Sequence, residues 1–233
     1  MRRLLIHVEG QTEEDFVNEM LRGHLVSRGY HSVEARLVGN ARLREQRGGI
    51  RSWLSVRKEI ANHLLGDPGC IATTMIDYYG LPRGQRAWPG RVEAINLPVG
   101  NKASCVQSAL AKDFSEFAGS RVRVDRFIPF VVMHEFEGLL FSDCQAFARG
   151  IGRPELESKF KDVRAKFDTP EHINDSPDTA PSKRVLTLVP SYEKPLFGVL
   201  AALEIGLTRI RAECPHFDGW IQDLESRATE SHS

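Results

Sequence analysis

The chain has 233 residues, with 31 Lys+Arg against 31 Asp+Glu, a formal net charge of +0 and four cysteines. That length suits one large domain or two small ones and buries roughly 70–75% of the unfolded surface, so a disulfide scaffold is not required. The balanced charge excludes a globally basic nucleic-acid binder and leaves polyanion binding to local patches.

Cys70, Cys105, Cys144 and Cys214 form no C-x-x-C pair and read as reduced thiols, which suits a cytoplasmic protein. No run approaches the ~20 apolar residues of a membrane span. The N-terminal apolar run stops at Glu9, too early for a signal peptide.

Residues 4–8 read as a buried strand ending at Glu9, followed by Gly10 and a helix start. Thr12 is the expected N-cap, with Glu13 and Glu14 in the first turn, where acids suit the helix dipole. Phe16, Val17, Met20, Leu21 and Leu25 mark one helical face that ends near Gly29. A second strand is expected over 33–38 and a second helix over 50–65. Between them lies a stretch with Arg36, Arg42, Arg44, Arg47 and Arg51, opposed only by Glu45. Residues 70–76 form a third strand that ends at Asp77. A long loop follows over 78–100, and loops of that length in compact domains are often functional. A helix over 102–117 and a strand over 122–133, interrupted by Pro129, complete a β-α-β-α-β-loop-α-β order. That order predicts an α/β fold, a mainly parallel sheet sandwiched by helices.

Beyond Glu135 strand signals fade, and short helices are expected over 155–167, 182–189, 195–207 and 217–226. The expected organisation is a single domain over 1–233. Residues 1–145 form the α/β core and 146–233 a helical C-terminal elaboration packed on it.

Acids recur at strand ends: Glu9, Asp77, and the pair Glu135 and Glu137. In a parallel sheet these ends converge on one edge, where like charges raise each other's pKa unless a cation intervenes. Mg²⁺ or Mn²⁺, held by Glu9, Asp77, Glu135 and Glu137, resolves the repulsion. Gly10 allows the tight turn or a close ligand approach. His134-Glu135-Phe136-Glu137 begins like a zincin helix, but Gly138 stands where the second histidine is required. His134 remains a possible proton shuttle.

Pro181, Ser182, Lys183 and Arg184 open a helix whose amides and cations suit a phosphate, with Lys194 beside Tyr192 as a second cation. The arginines Arg42, Arg44, Arg47 and Arg51 form the best local patch for a nucleic-acid backbone. Tyr78, Tyr79 and Trp88 are candidates for stacking on a nucleotide. There is no P-loop, no G-x-G-x-x-G after the first strand and no G-x-S-x-G, so ATP hydrolysis would need a separate protein.

The blocks Val8-Glu9-Gly10-Gln11-Thr12-Glu13 and Met75-Ile76-Asp77-Tyr78-Tyr79-Gly80-Leu81-Pro82 resemble the Toprim superfamily of topoisomerases, primases and nucleases. More narrowly, the chain is similar to a microbial Toprim-like family of unknown function (DUF4276). That likeness continues through His134–Asp143, Ala180–Arg184, Tyr192-Glu193-Lys194 and Arg211–Trp220 and covers nearly the whole chain.

The resemblance implies a Toprim-like, Rossmann-like fold with a Mg²⁺ centre. Glu9 would be the metal ligand or general acid/base, and Asp77 the first acid of a D-x-D pair. Tyr79 stands where the second acid belongs; Glu135, Glu137 or Asp143 could supply the missing carboxylate.

The leading expectation is a Mg²⁺- or Mn²⁺-dependent nuclease acting on DNA or RNA. Glu9, Asp77, Glu137 and Lys183 would be catalytic. By analogy the setting would be defence against foreign nucleic acid, with a separately encoded ATPase. The alternative is a degenerate, non-catalytic module that binds or regulates an ATPase. A third option is a nucleotide phosphohydrolase or phosphotransferase with the 78–100 loop as its lid.

Overall fold

The computed structural model describes residues 1–38, 51–173 and 179–229. Its first half runs β1 (Arg3–Val8), α1 (Gln11–Phe16), a π-helical turn (Val17–Leu21), α2 (Arg22–Ser27), β2 (Ser32–Leu37), α3 (Trp53–Gly66) and β3 (Cys70–Asp77). Then come α4 (Val99–Ala118), β4 (Phe127–Ile128), β5 (Val131–Val132), α5 (Glu137–Leu140) and α6 (Cys144–Gly150). The remainder is helical: α7 (Glu157–Arg164), α8 (Pro181–Leu188), α9 (Lys194–Ile205), α10 (Leu207–Glu213) and α11 (Pro215–Thr229).

The sheet order is β2-β1-β3-β4, with β5 also pairing β3, and every pairing is parallel. The expected α/β sandwich is therefore the observed one. β3 is buried at all eight positions, as a central parallel strand covered on both faces must be.

The pleat of β1 sorts its side chains between two cores. Leu4, Ile6 and Val8 enter a cluster with Phe16, Val17 and Leu21 and with Phe141, Phe147, Phe217 and Leu224 of the later helices. Leu5 packs against the opposite cluster, built from Trp53, Val56 and Ile60 of α3 and Val106, Leu110 and Phe114 of α4. Helix α11 is fastened to the sheet by Trp220, whose ring stacks on Phe130 at 4.3 Å and whose Nε1 donates to Thr73 Oγ1 at 2.9 Å.

Several local expectations change. The strand expected over 122–133 is two short pieces, because Pro129 has no N–H to give the ladder. The Thr74 hydroxyl bridges the break, donating to Phe130 O at 2.8 Å and accepting from Phe130 N–H at 2.9 Å. Gly10, not Thr12, is the N-cap of α1, with extended backbone. The single helix expected to run to Gly29 contains the π-helical turn Val17–Leu21.

Residues 78–100 hold two 3₁₀ turns (Gly84–Arg86 and Glu93–Asn96) and bury Tyr78, Leu81, Trp88, Arg91 and Ala94. Gly90, at φ +77°, lies so close to α4 that a Cβ there would meet Ala109 Cβ and Cys105 O at 2.8 Å. The segment is thus anchored to the core by these side chains while much of its remainder is exposed. Among the described residues no helix is long and apolar enough to cross a membrane.

Candidate active site

Register brings the acids together. Val8 lies opposite Met75, and Asp77 opposite Val132, so β1, β3 and β5 end at one edge. Tyr78 N–H donates to Val132 O at 2.9 Å and Tyr79 N–H to His134 O at 3.1 Å, which extends the pairing into the turn after β5. His134 turns the chain at φ 60°, a left-handed conformation costly for a residue with a side chain. That turn starts α5 at Glu137. The edge is the carboxyl end of a parallel sheet, where such folds bind ligands.

Five carboxylates gather there, each held differently. Glu13 Oε2 accepts the Gly10 N–H at 3.0 Å. Asp77 Oδ1 accepts the Phe136 N–H at 2.9 Å, tying β3 to the turn after β5. Glu135 Oε2 accepts the Ser182 N–H at 3.0 Å, and Glu137 Oε2 accepts from Lys194 Nζ at 3.0 Å. The Glu9 carboxylate lies over Gly80, where an added Cβ would fall 2.2 Å from Oε2 and 2.6 Å from Oε1. Only glycine leaves room for it. Gly198 similarly lets α9 close on Thr12, Phe136 and the Tyr192 hydroxyl, at 3.2–3.4 Å from an added Cβ. At this edge Glu9 Oε2, Glu137 Oε1 and the Tyr192 hydroxyl are buried without a hydrogen-bond partner among the described residues.

The electrostatics follow from burial and crowding. Burial, then the Glu13 charge, pushes Glu9 up to about 8, against the pull of the Asp77 amide and Lys194. Burial raises Glu13 to about 7, with Glu137 adding to it. Asp77 is raised well above the carboxylate range by burial, then by Glu13 and Glu9. Burial also raises Glu137, and Lys194 opposes that shift. Burial works against the Lys194 ammonium, but Glu137, Glu135 and Asp77 outweigh it and hold its pKa above the ordinary lysine value. The arrangement is a proton-holding, cation-seeking edge with one built-in counter-charge.

The donor set suits Mg²⁺ or Mn²⁺. Among the described residues no three of these carboxylates bring donor atoms within 4.8 Å of one another, which argues against a tight all-protein cage. Mg²⁺ does not need one: it keeps several waters and binds through one or two carboxylates. Glu9 Oε2 and Glu137 Oε1 are the carboxylate oxygens of this edge that lack a partner among the described residues.

The sequence profile described as "Domain of unknown function (DUF4276)" matches residues 8–225. The chain belongs to this family. The matched span begins one residue before Glu9 and takes in every carboxylate of the DUF4276 edge and Lys194. No curated protein and no solved structure matches the chain.

Other anticipated residues of the DUF4276 chain lie elsewhere. Arg42, Arg44 and Arg47 fall outside the described residues. Arg51 is half-buried and tied down, Nε donating to Val38 O at 2.8 Å and Nη2 pairing with Glu59 at 2.5 Å. The Ser182 amide, expected to cradle phosphate, is taken by Glu135. Lys183 and Arg184 line an open depression with Lys159, Asp162, Thr179 and Thr187.

Asp143 caps α6, accepting from Gln145 N–H at 3.0 Å and Ala146 N–H at 2.9 Å, so it does not complete the acidic edge. Tyr78 and Trp88 are core side chains rather than nucleotide platforms. Arg91 covers Tyr78, its guanidinium 4.0 Å from the ring centroid and Nη1 2.9 Å from the hydroxyl. Tyr79 packs on His134, ring centroids 5.1 Å apart. Lys194, the secondary cation in the sequence, is the one at the acids. Gly80 was missed as a contributor; its place three residues after Asp77 is the signal that could have found it.

Proposed function

We propose that the acidic edge is a Mg²⁺- or Mn²⁺-dependent centre that hydrolyses phosphodiester bonds in DNA or RNA. The observation that carries this is the pair of orphaned buried oxygens, Glu9 Oε2 and Glu137 Oε1, beside Lys194. Glu9 and Glu137 would hold the cation, with Asp77 and Glu135 fixing the surrounding backbone. Bound there, it supplies a water of lowered pKa and charge stabilisation at the phosphorus.

The chain's own groups do the rest. Lys194, half-exposed, draws a phosphate oxygen to the edge and offsets developing negative charge. The Tyr192 hydroxyl, unpartnered inside the protein, can donate to a non-bridging oxygen. Glu9 holds a proton near neutrality without metal, and it would release that proton as the cation binds. Lys183 lies exposed on α8 and contributes at most to steering. A separately encoded ATPase, a cytoplasmic setting and a role in defence against foreign nucleic acid extend this reading by family likeness alone.

A second reading is a non-catalytic module that binds or regulates an ATPase. Tyr79 favours it, because it packs on His134 and puts no carboxylate two residues after Asp77. Labelled single- and double-stranded DNA, RNA and tRNA incubated with Mg²⁺, Mn²⁺ or EDTA separate the two. Metal-dependent cleavage by wild type, lost in Glu9→Ala and Asp77→Ala, supports the nuclease. Equal cleavage by all three proteins, or none with the ATPase present, removes it.

A further inference from the structure

A second group of ligating side chains shares no residue with the acidic edge. His7 sits on β1, and Glu59 and His63 sit one helical turn apart on α3, so both face the same way. One donor atom from each of the three lies within 4.8 Å of the others. The rings of His7 and His63 are stacked with centroids 5.6 Å apart. His7 is fully buried, yet its Nε2 has no hydrogen-bond partner, and His63 Nδ1 is buried and unpartnered too. Two orphaned imidazole nitrogens in one place are unusual, because buried polar atoms are nearly always paired.

The tautomer is already chosen. His7 Nδ1 is 3.2 Å from Thr73 O, and a carbonyl can only accept, so Nδ1 carries the proton and Nε2 presents its lone pair. A backbone carbonyl behind the far nitrogen is how metal-binding histidines are oriented. Glu59 is steadied by Arg51 at 2.5 Å, which occupies one carboxylate oxygen and leaves the other for a ligand. Two imidazoles and one carboxylate form a borderline-soft donor set, suited to Zn²⁺ and its neighbours rather than to Mg²⁺.

We propose that His7 Nε2, His63 Nδ1 and a Glu59 carboxylate oxygen form a binding site for a Zn²⁺-class transition metal ion. The ion would pin α3 to the central strand. Zn–N bonds of roughly 2.0–2.1 Å require the three donors to draw in slightly, and a fourth position stays open for water. The site differs from the acidic edge in residues and in donor chemistry, and α3 in place of β3 and β5 completes it.

Chelator-treated full-length protein titrated with Co²⁺ tests this. The expected result is one tightly bound Co²⁺ per chain with the ligand-field absorption of a nitrogen-containing, low-coordinate site, displaced by Zn²⁺, which also raises Tm; weaker binding at the acidic edge lacks that band. His63→Ala lowers the affinity by more than about 100-fold, beyond the cost of losing a mere supporting hydrogen bond. Glu59→Gln, a half-buried change, gives a second reading if His63→Ala fails to fold. Glu9→Gln leaves the Co²⁺ signal intact, which separates this site from the acidic edge. Absence of the band in wild type, or an unchanged titration in the folded site variants, overturns the proposal.

Discussion

Two carboxyls in this protein share a pKa raised by desolvation and differ in what surrounds them. Glu171, in the 3₁₀ turn before α8, is fully occupied: Oε2 accepts the His216 N–H at 2.9 Å and Oε1 accepts the Phe217 N–H at 2.8 Å. It closes the first turn of α11, and burial still holds its pKa up, at about 7. Glu9, at the sheet edge, is raised to about 8 with an oxygen that nothing in the chain satisfies. Burial and a raised pKa are therefore common to a structural acid and a candidate reactive one. The unpaired oxygen, with like-charged neighbours, is what separates them.

The strongest break in the comparison is Glu171→Ala. It strands two amides at the start of α11, and the expected loss is about 4 kcal/mol, read from urea unfolding. Mg²⁺ affinity of the folded fraction should not change. A coupled loss of Mg²⁺ binding would merge the two sites.

Gly80→Ala comes next. Its Cβ collides with the Glu9 carboxylate, the end of a side chain that can swing aside, so the substitution costs about 1 kcal/mol while displacing Glu9. The proposed nuclease activity should fall with it. Wild-type activity in this variant would show that Glu9 need not sit over Gly80.

Asp77→Asn is expected to act in the opposite sense. Its Oδ1 still accepts from Phe136 N–H, while a carboxyl that must take up a proton on folding becomes permanently neutral, so the metal-free protein gains about 1 kcal/mol. A lower Tm in EDTA would contradict the crowding described for this edge.

The smallest effect is a pH slope. A carboxyl whose folded pKa is raised keeps a proton that the unfolded chain releases, so stability falls as pH rises from about 4.5 through the folded value. Burial lowers His7 to about 4 and also lowers His216, which works the other way but only below pH 6.5. Between pH 6.5 and 8.5 the acids decide, and the urea midpoint in EDTA should fall. Glu171→Gln should remove the early part of that fall and Glu9→Gln the later part. A midpoint that is flat or rising across this window would contradict the raised values.

Much of the edge was legible because strand ends are written in the sequence. Apolar runs stop at Glu9 and at Asp77, and parallel pairing aligns them. The helical second half was legible from its proline and apolar spacing. What stayed hidden depends on through-space contacts.

The Phe136 and Ser182 amides choose Asp77 and Glu135, across 59 and 47 residues. Lys194 reaches Glu137 while Lys183, equally basic in the sequence, faces a different depression. Tyr78 and Trp88, read as platforms for a nucleotide, are covered by Arg91 and by Trp53 of α3, because large aromatic rings bury the most apolar surface. The His7, Glu59 and His63 group is invisible in sequence except as an i, i+4 pair on a helix and a histidine in a strand.

The central claim is that an unsatisfied buried oxygen, and not burial alone, marks the functional acid. Calorimetric titration of Mg²⁺ into EDTA-treated wild type, Glu9→Gln and Glu171→Gln tests it most directly, since Mg²⁺ prefers oxygen donors over the histidines elsewhere. Saturable binding in wild type and Glu171→Gln, abolished in Glu9→Gln, is the predicted result. Binding that survives Glu9→Gln, or that disappears with Glu171→Gln, would contradict the account.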